Sequence, residues 1–453
     1  MTSLWGGYKV MTHTEREATL LEVCTRALAL VDTSIYQGEA FATHSNSVSA
    51  ELEKGKIKSS QSGFESGIGI RIFQDGSMGY AHASLERVEF AVEQAISASR
   101  AGRPDKDFKS LPPAERYPVV SGTWDDTIAS LDVSTVAQLA IDVADASRID
   151  KRIDIVNSGA SVGRWSGAIA NTFGVSGTDS GTQAALDVDV IAHKGEDSGN
   201  GFEYAASRRF DFNVDSVGSA AGEMALRSMN PRPVQSGKMP VVLDPLAVGS
   251  VIAAAVTVSA EDAQRDRSFL AGKIGEHIAV SEFSIVDDGL LGGGLETSPF
   301  DGEGVPSQRT PLVERGVLRS YLYDSYTANK EGTTSTGNAS RGDFRQPPSI
   351  APTNLVIASG AEANVIEDVG HGIYIRATGD RPNPSTGEFS GMVYAGYAIE
   401  DGELEHALKQ TNIGIDVLDL LQQIDGISRE VKTYFSLTTP TVRIRDVSVA
   451  SSG

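Results

Sequence analysis

Metal-assisted amide hydrolysis needs ligands at fixed spacing and a carboxylate that activates water, and histidine is the commonest such ligand. A zincin helix carries two histidines about one turn apart with a glutamate beside the first. The seven histidines here, His13, His44, His82, His193, His277, His371 and His406, never fall into that pattern. Glu276-His277 is acidic enough but has no second helical histidine; only a site gathered from distant residues stays open. The single cysteine, Cys24, excludes an intrachain disulfide and a multi-cysteine zinc cluster. It shares a helical stripe with Leu20, Ala27, Leu28 and Val31, which predicts a buried thiol and not a reactive one.

Other chemical motifs fail on spacing. Gly174-Val175-Ser176-Gly177 lacks the second flanking glycine of a nucleophile elbow and is expected to be a turn. Gly292-Gly293-Gly294 has no neighbouring Gly-Lys-Ser/Thr to hold a phosphate. Asp301-Gly302-Glu303-Gly304 is acidic, but the central glycine and terminal glutamate of a calcium loop are not at their offsets. A denser polar and aromatic region follows: Tyr321, Tyr323, Asp324, Tyr326, Lys330, Arg341, Asp343 and Arg345. It is either a solvated loop with ordinary ion pairs or a wall for a peptide or partner protein, with aromatic faces taking side chains and cations fixing carboxylates or carbonyls.

The elements that would position these residues can be traced by periodicity. Thr14 and Glu17 have capping-box spacing before the Leu20 to Val31 stripe, predicting a first helix. Val48, Ala50 and Leu52 alternate before Glu53-Lys54-Gly55-Lys56, and Ile68, Ile70 and Ile72 alternate before Asp75-Gly76, predicting strands and hairpin turns. Leu85, Val88, Val92, Ala95 and Ile96 switch to helical spacing. Residues 102–117 form a proline-rich loop, and Val133 to Ala144 predicts another helix. Strands are expected around Ile153–Ile155, Trp165–Ala170, Ala185–Ala192 and Phe202–Val214, then a helix over Ser216–Met229. Asn230-Pro231-Arg232-Pro233 is the expected boundary, giving domains at 14–232 and 233–453 behind a disordered or non-native leader at 1–13. The second half opens with a strand at Met239–Leu243 and a helical segment at Leu246–Ser259, then becomes glycine-rich. The fold class is therefore α+β: an antiparallel sheet with helices, followed by a predominantly β domain with a curved or barrel-like sheet.

Lysine and arginine number 39 against 60 acidic residues, a formal charge of -21, so attraction to nucleic acid or an anionic membrane is disfavoured. No segment reaches the roughly 18 apolar residues of a membrane span, and a cytoplasmic location is expected.

The run from Phe300 to Arg341, FDGEGVPSQRTPLVERGVLRSYLYDSYTANKEGTTSTGNASR, resembles the central segment of the TldD/PmbA family. Pro352-Thr353-Asn354-Leu355, Gly387-Glu388-Phe389-Ser390-Gly391 through Gly396-Tyr397, and the earlier Ser66 to Arg71 are similar to further landmarks of that family. TldD-like members carry HExxxH after a strand and turn that match Pro240 to Gly249; the motif's two leading positions match Ala253 and Ala254, and its last histidine matches Val258. The resemblance is thus to the metal-less TldE/PmbA-like subunit. It implies no catalytic residue, metal ligand or cofactor in this chain, zinc in an HExxxH-bearing TldD-like partner, and joint binding of unfolded peptides for degradation or processing. Tyr321, Tyr323, Asp324, Tyr326, Lys330, Asn338, Arg341 and Arg345 are the expected peptide or partner contacts. A homodimer in the partner's absence, a freestanding peptide-binding or assembly protein, and an isolated metal-independent hydrolase are the competing expectations.

Overall fold

The computed structural model describes residues 11–452. Residues 1–10 of the expected leader lie outside them; Thr12 already caps, and His13 begins, the first helix, α1 (His13–Ala29). Its capping box is formed by Thr12 and Glu15 and not by Thr14 and Glu17. Both pairs have the right spacing, but a cap needs extended backbone at the threonine, and Thr12 is where the chain is still extended (φ -65°, ψ 163°).

Six antiparallel strands make the N-terminal sheet: β1 (Gln37–Glu53), β2 (Lys56–Gln74), β3 (Ser77–Ala83), β4 (Ile153–Asn171), β5 (Ser176–Lys194) and β6 (Asp197–Ser207), in the order β3-β2-β1-β4-β5-β6. The β1–β2 and β2–β3 turns place Lys54-Gly55 and Asp75-Gly76 at positive φ, the twist two-residue hairpins require. The two pieces expected at Ile153–Ile155 and Trp165–Ala170 are one strand, because β4 also pairs along its glycine- and serine-containing middle. Phe202–Val214 is shorter as a strand than expected, since β6 stops at Ser207 before a loop to the next helix.

Helices cover one face of this sheet in two groups. α1 and α2 (Val88–Ala101) pack Leu20, Cys24, Ala91, Val92 and Ala95 onto Ala40, Ala42, Ile68, Ile70, Ile72 and Ala168. Two further helices, Val133–Ala146 and Val214–Arg227, bury Val136, Ala140, Val143 and Ala221 on the other ends of the same strands, against Ala50, Leu52, Ile155, Leu186 and Val188. The second face carries Phe41, Thr43, Ser45, Arg71, Trp165, Gly167 and Asp179, a mixed polar and aromatic series that none of these four helices covers.

The C-terminal half is mostly β and closes on itself. Strand β7 (Gly237–Leu243) pairs with His371–Thr378 on one side and Leu437–Ser451 on the other. Glu388–Glu400 and Thr411–Asp416 complete the path between those two, making a closed ring with further strands off its edge. Its core includes Val241, Leu243, Val251, Ile252, Phe283, Ile373, Ile375, Ile413, Val442 and Ile444. The α+β class and the barrel-like second sheet both follow from this topology. No helix among the described residues is long and apolar enough to cross a membrane.

Candidate functional site

The segment that the resemblance sets against a metal-binding motif follows Asp244, whose carboxylate accepts from Leu246 N–H and caps a short helix, Pro245–Val248. The chain then widens into a π-helical turn over Gly249–Ala253 before one more α-turn, Ala254–Val256. Such bulges put residues five apart on one face, and Ala253 and Val258 are five apart, although Val258 follows the helix end. Ala253 and Val258 are buried in the core and Ala254 is exposed. Their methyl and isopropyl groups offer no donor to a cation. Among the described residues no group of three His, Cys, Asp or Glu side chains could hold a metal ion.

The helix-free face of the N-terminal sheet meets the Phe300–Arg341 segment through a buried chain of charges. Arg71 donates to Glu39 at 2.7 Å and to Glu303 at 2.9 Å. Arg341 donates to the other oxygen of Glu39 and, through Nε, to the Gly302 carbonyl at 2.6 Å. The side chains of Glu39, Arg71, Glu303 and Arg341 are only 1%, 8%, 3% and 1% exposed. Ser325 closes the far end by donating its N–H (2.9 Å) and hydroxyl to Glu303. Burial pushes the Glu303 pKa upward, but Arg71 and Ser325 outweigh it and the net shift is downward. Asp301 shifts upward because of burial and then the Glu303 charge, despite N–H donors from Glu303, Val305 and Ala339.

The expected contact residues divide along this seam. Tyr321 and Tyr323 are core residues, and Tyr321 donates to the Leu270 carbonyl at 2.6 Å. Neither presents a wall on this chain's surface. Asp324 caps the helix Ser325–Glu331 by accepting from Thr327. Tyr326 donates to Asp105, Lys330 faces Asp107 at 3.9 Å, and Arg345 binds Asp343 and Glu65. Asn338 donates to Asp287 at 2.7 Å and to the Ala351 carbonyl. Much of the polar capacity read as a partner wall is therefore spent joining the two halves of one chain. Glu39, Arg71 and Glu303 were missed as a unit. The available signal was Arg71 itself, a cation between Ile70 and Ile72 on a strand whose other face is core.

Next to the charge chain lies a cavity of ≈ 400 Å³. Register builds its floor: Thr43 pairs with Gly167, which pairs with Asp179, and in the next row Ser45 pairs with Trp165. Its roof comes from Leu295–Gly302, Gly337–Asp343 and Ala351–Thr353. Arg208 stacks on the Trp165 ring at 4.7 Å and gives Nε–H to the Leu295 carbonyl at 2.9 Å. Burial raises the Asp179 pKa to about 6, against the pull of Ser298 and Arg208.

Three family models for the PmbA/TldA metallopeptidases match this chain: domain 1 over residues 38–99, the central domain over 126–229 and the C-terminal domain over 236–451. An uncharacterized protein of Methanocaldococcus jannaschii is 31% identical over 90% of this chain and 95% of its own length. The chain belongs to the TldD/PmbA metallopeptidase family. The metalloprotease PmbA homolog of Haemophilus influenzae is 25% identical over 95% of this chain and 94% of its own. TldE from Thermococcus kodakarensis has the same fold, with TM-score 0.85 at 23% identity over 95% of this chain and 99% of that one. Family membership agrees with the landmarks at Ser66–Arg71, Phe300–Arg341 and Gly387–Tyr397.

Proposed function

We propose that this chain is the metal-less subunit of a heteromeric metallopeptidase. It pairs with an HExxxH-bearing, TldD-like relative that carries zinc, and together they bind unfolded peptides for degradation or processing. One observation carries the reading: within a family of metallopeptidases, Ala253, Ala254 and Val258 stand where ligands and base are expected, and none has a donor atom. A short helix and π-turn carry these positions here, and we assign the metal chemistry to the partner. Tyr321 and Tyr323 are internal and give such contacts no exposed ring, so the more accessible Tyr326, Lys330 and Arg345 are the ones we assign to peptide or partner. We also assign a cytoplasmic location, testable by cell fractionation.

The decisive experiment expresses the chain and an HExxxH-bearing relative separately and together. Complex mass and hydrolysis of an unfolded peptide are followed across a concentration series. Activity should track heteromer formation and vanish when the relative's HExxxH glutamate is replaced by glutamine. A relative fully active by itself, with no heteromer at micromolar concentration, would refute the proposal. Metal-dependent activity of this chain alone would refute it equally.

A further inference from the structure

Strand β2 outruns the neighbour beside it. It has 19 residues and β3 only seven, and β3 pairs no further back than Ile68. From Lys56 to Glu65 the strand is bonded to β1 on one side, and among the described residues no backbone group takes up its other side. Apart from half-buried Ser59, these residues are exposed. A free edge of this length is a template for another strand, and proteins ordinarily blunt one with prolines, charges or bulges. Here no proline interrupts it, and from Ser59 to Phe64, SSQSGF, it carries no charge.

The hairpin register shows which residues present the edge. Gln74 and Ser77 close a two-residue turn, a pair that exchanges both backbone hydrogen bonds, so Gln74 and every second residue back to Ser60 point N–H and C=O away from β1. Ser60, Ser62 and Phe64 therefore offer unmet groups. Glu51 pairs with Ser59 and Leu52 with Ile57, which leaves Lys58 as the extra residue of a bulge and returns Ile57 to the outward set. Cross-strand partners share a face. Ser60 lies opposite Ala50 and Ile57 opposite Leu52, both on the helix-covered face, and Phe64, opposite Asn46, lies on that face too. Ile57 and Phe64 are nevertheless 55% and 74% exposed.

These positions are self-complementary. Turned end for end about Gln61, a second β2 edge sets Ser60 against Ser62 and Ser59 against Gly63. With Lys58 bulged out, Ile57 then meets Phe64 and Lys56 meets Glu65. A two-fold axis through the sheet maps each face onto itself, so this match requires Ile57 and Phe64 on one face, which the bulge provides. Glu65 holds Arg345 through one oxygen and keeps the other for Lys56. An unrelated strand would find the same backbone groups but not the matched side chains. We propose that a second copy of this chain pairs antiparallel with the first through Lys56–Glu65, joining two six-stranded sheets into one. So short an interface gives a weak dimer, with dissociation in the micromolar range. The edge belongs to the N-terminal sheet, and the pairing does not rest on the metallopeptidase reading of the Ala253 to Val258 segment.

Sedimentation of the full chain across a micromolar concentration series should show a monomer–dimer equilibrium. Ser62→Pro removes an outward donor and leaves the β1 ladder its bonds. Phe64→Lys brings a further cation against Ile57, between Lys56 and Lys58. Each should weaken dimerisation at least about tenfold with unfolding temperature unchanged, whereas Val119→Lys, at a 99% exposed position outside β2, should dimerise like the wild type. Cross-linking reads the register. Gln61 would face its own copy in a non-hydrogen-bonded pair, where Cα atoms are about 4.5 Å apart and a disulfide can close. Mild oxidation should link Gln61→Cys chains to each other, and Ile57→Cys to Phe64→Cys only when the two are mixed; Cys24 is buried and does not compete. A monomer at every concentration overturns the proposal, as does undiminished dimerisation in a folded Phe64→Lys protein or a dimer whose Gln61→Cys chains stay unlinked. Loss of the heteromer in Phe64→Lys would give the edge to the HExxxH-bearing relative and overturn the second-copy assignment. Absence of any heteromer with dimerisation intact would refute the subunit proposal alone.

Discussion

Replacing Glu39 with glutamine should separate the two halves of the molecule energetically. Among the described residues, Glu39 is the carboxylate that touches both Arg71 and Arg341. Without its charge, Arg71 keeps Glu303, while Arg341 is left with the Gly302 carbonyl and no carboxylate partner among the described residues. Breaking one partner of a buried ion pair costs about 3–5 kcal/mol, and the 1% exposure of Glu39 leaves little water to soften that. Urea unfolding measures it. All three tryptophans lie in the first 165 residues, so fluorescence follows the N-terminal half while circular dichroism follows both. The two signals should coincide in the wild type and part in Glu39→Gln, with the fluorescence midpoint moving less. Pairing the substitution with Arg341→Met should give a coupling energy of about 1–3 kcal/mol, insensitive to added salt because screening acts mainly on exposed charges. A Glu39→Gln cost under about 1 kcal/mol, or a coupling within about 0.5 kcal/mol of zero, would refute the view that this charge chain joins the halves.

Asp179 offers a pH test. With its pKa raised to about 6 from 3.8, its contribution to stability is complete below about pH 4 and is lost as pH climbs through 6. Asp179→Asn should flatten that part of the stability profile, worth at most about 3 kcal/mol for a two-unit shift; an unchanged slope between pH 4 and 6 would contradict it. Gly79→Ala should lose about 2–3 kcal/mol in thermal unfolding, because a Cβ there would overlap the α2 backbone at Ala95 and Ser99; a neutral result would mean that α2 can lift off β3 at no cost. Cys24, with a pKa pushed up to about 12 chiefly by burial, should react with a thiol reagent only after denaturation. Modification of the native protein at the rate of a free thiol would show that the α1 packing opens.

Alternation and turn chemistry made the N-terminal hairpins readable: Ile68, Ile70 and Ile72 face the helices, and Asp75-Gly76 adopts the positive φ pair those residues favour. Pieces of β4 read as separate because its middle, Ser158 to Gly163, is built of small residues with only Ala160 and Val162 to mark the buried face, yet both neighbours pair with it. Composition marked 321–345 as unusual but could not say whether its tyrosines faced in or out. That depends on contacts such as Tyr321 with Leu270, which periodicity does not encode. The charge chain was harder still. Glu39 and Arg341 are 302 positions apart, and nothing local distinguishes them from surface ions.

The last strand, Leu437–Ser451, pairs with four others: β7, Leu355–Ile357, Thr411–Asp416 and Ile424–Tyr434. Ribosomal synthesis therefore completes the two sheets at very different times. Every strand of the first has emerged by Ser207, whereas the ring of the second cannot shut before Leu437–Ser451 exists. At about 5–20 residues per second the delay is on the order of tens of seconds, during which β7 has no Leu437–Ser451 neighbour and Val241, Ile373 and Ile413 lack their full cover. Truncations that remove the final strand should therefore yield a soluble N-terminal sheet tethered to aggregating sequence.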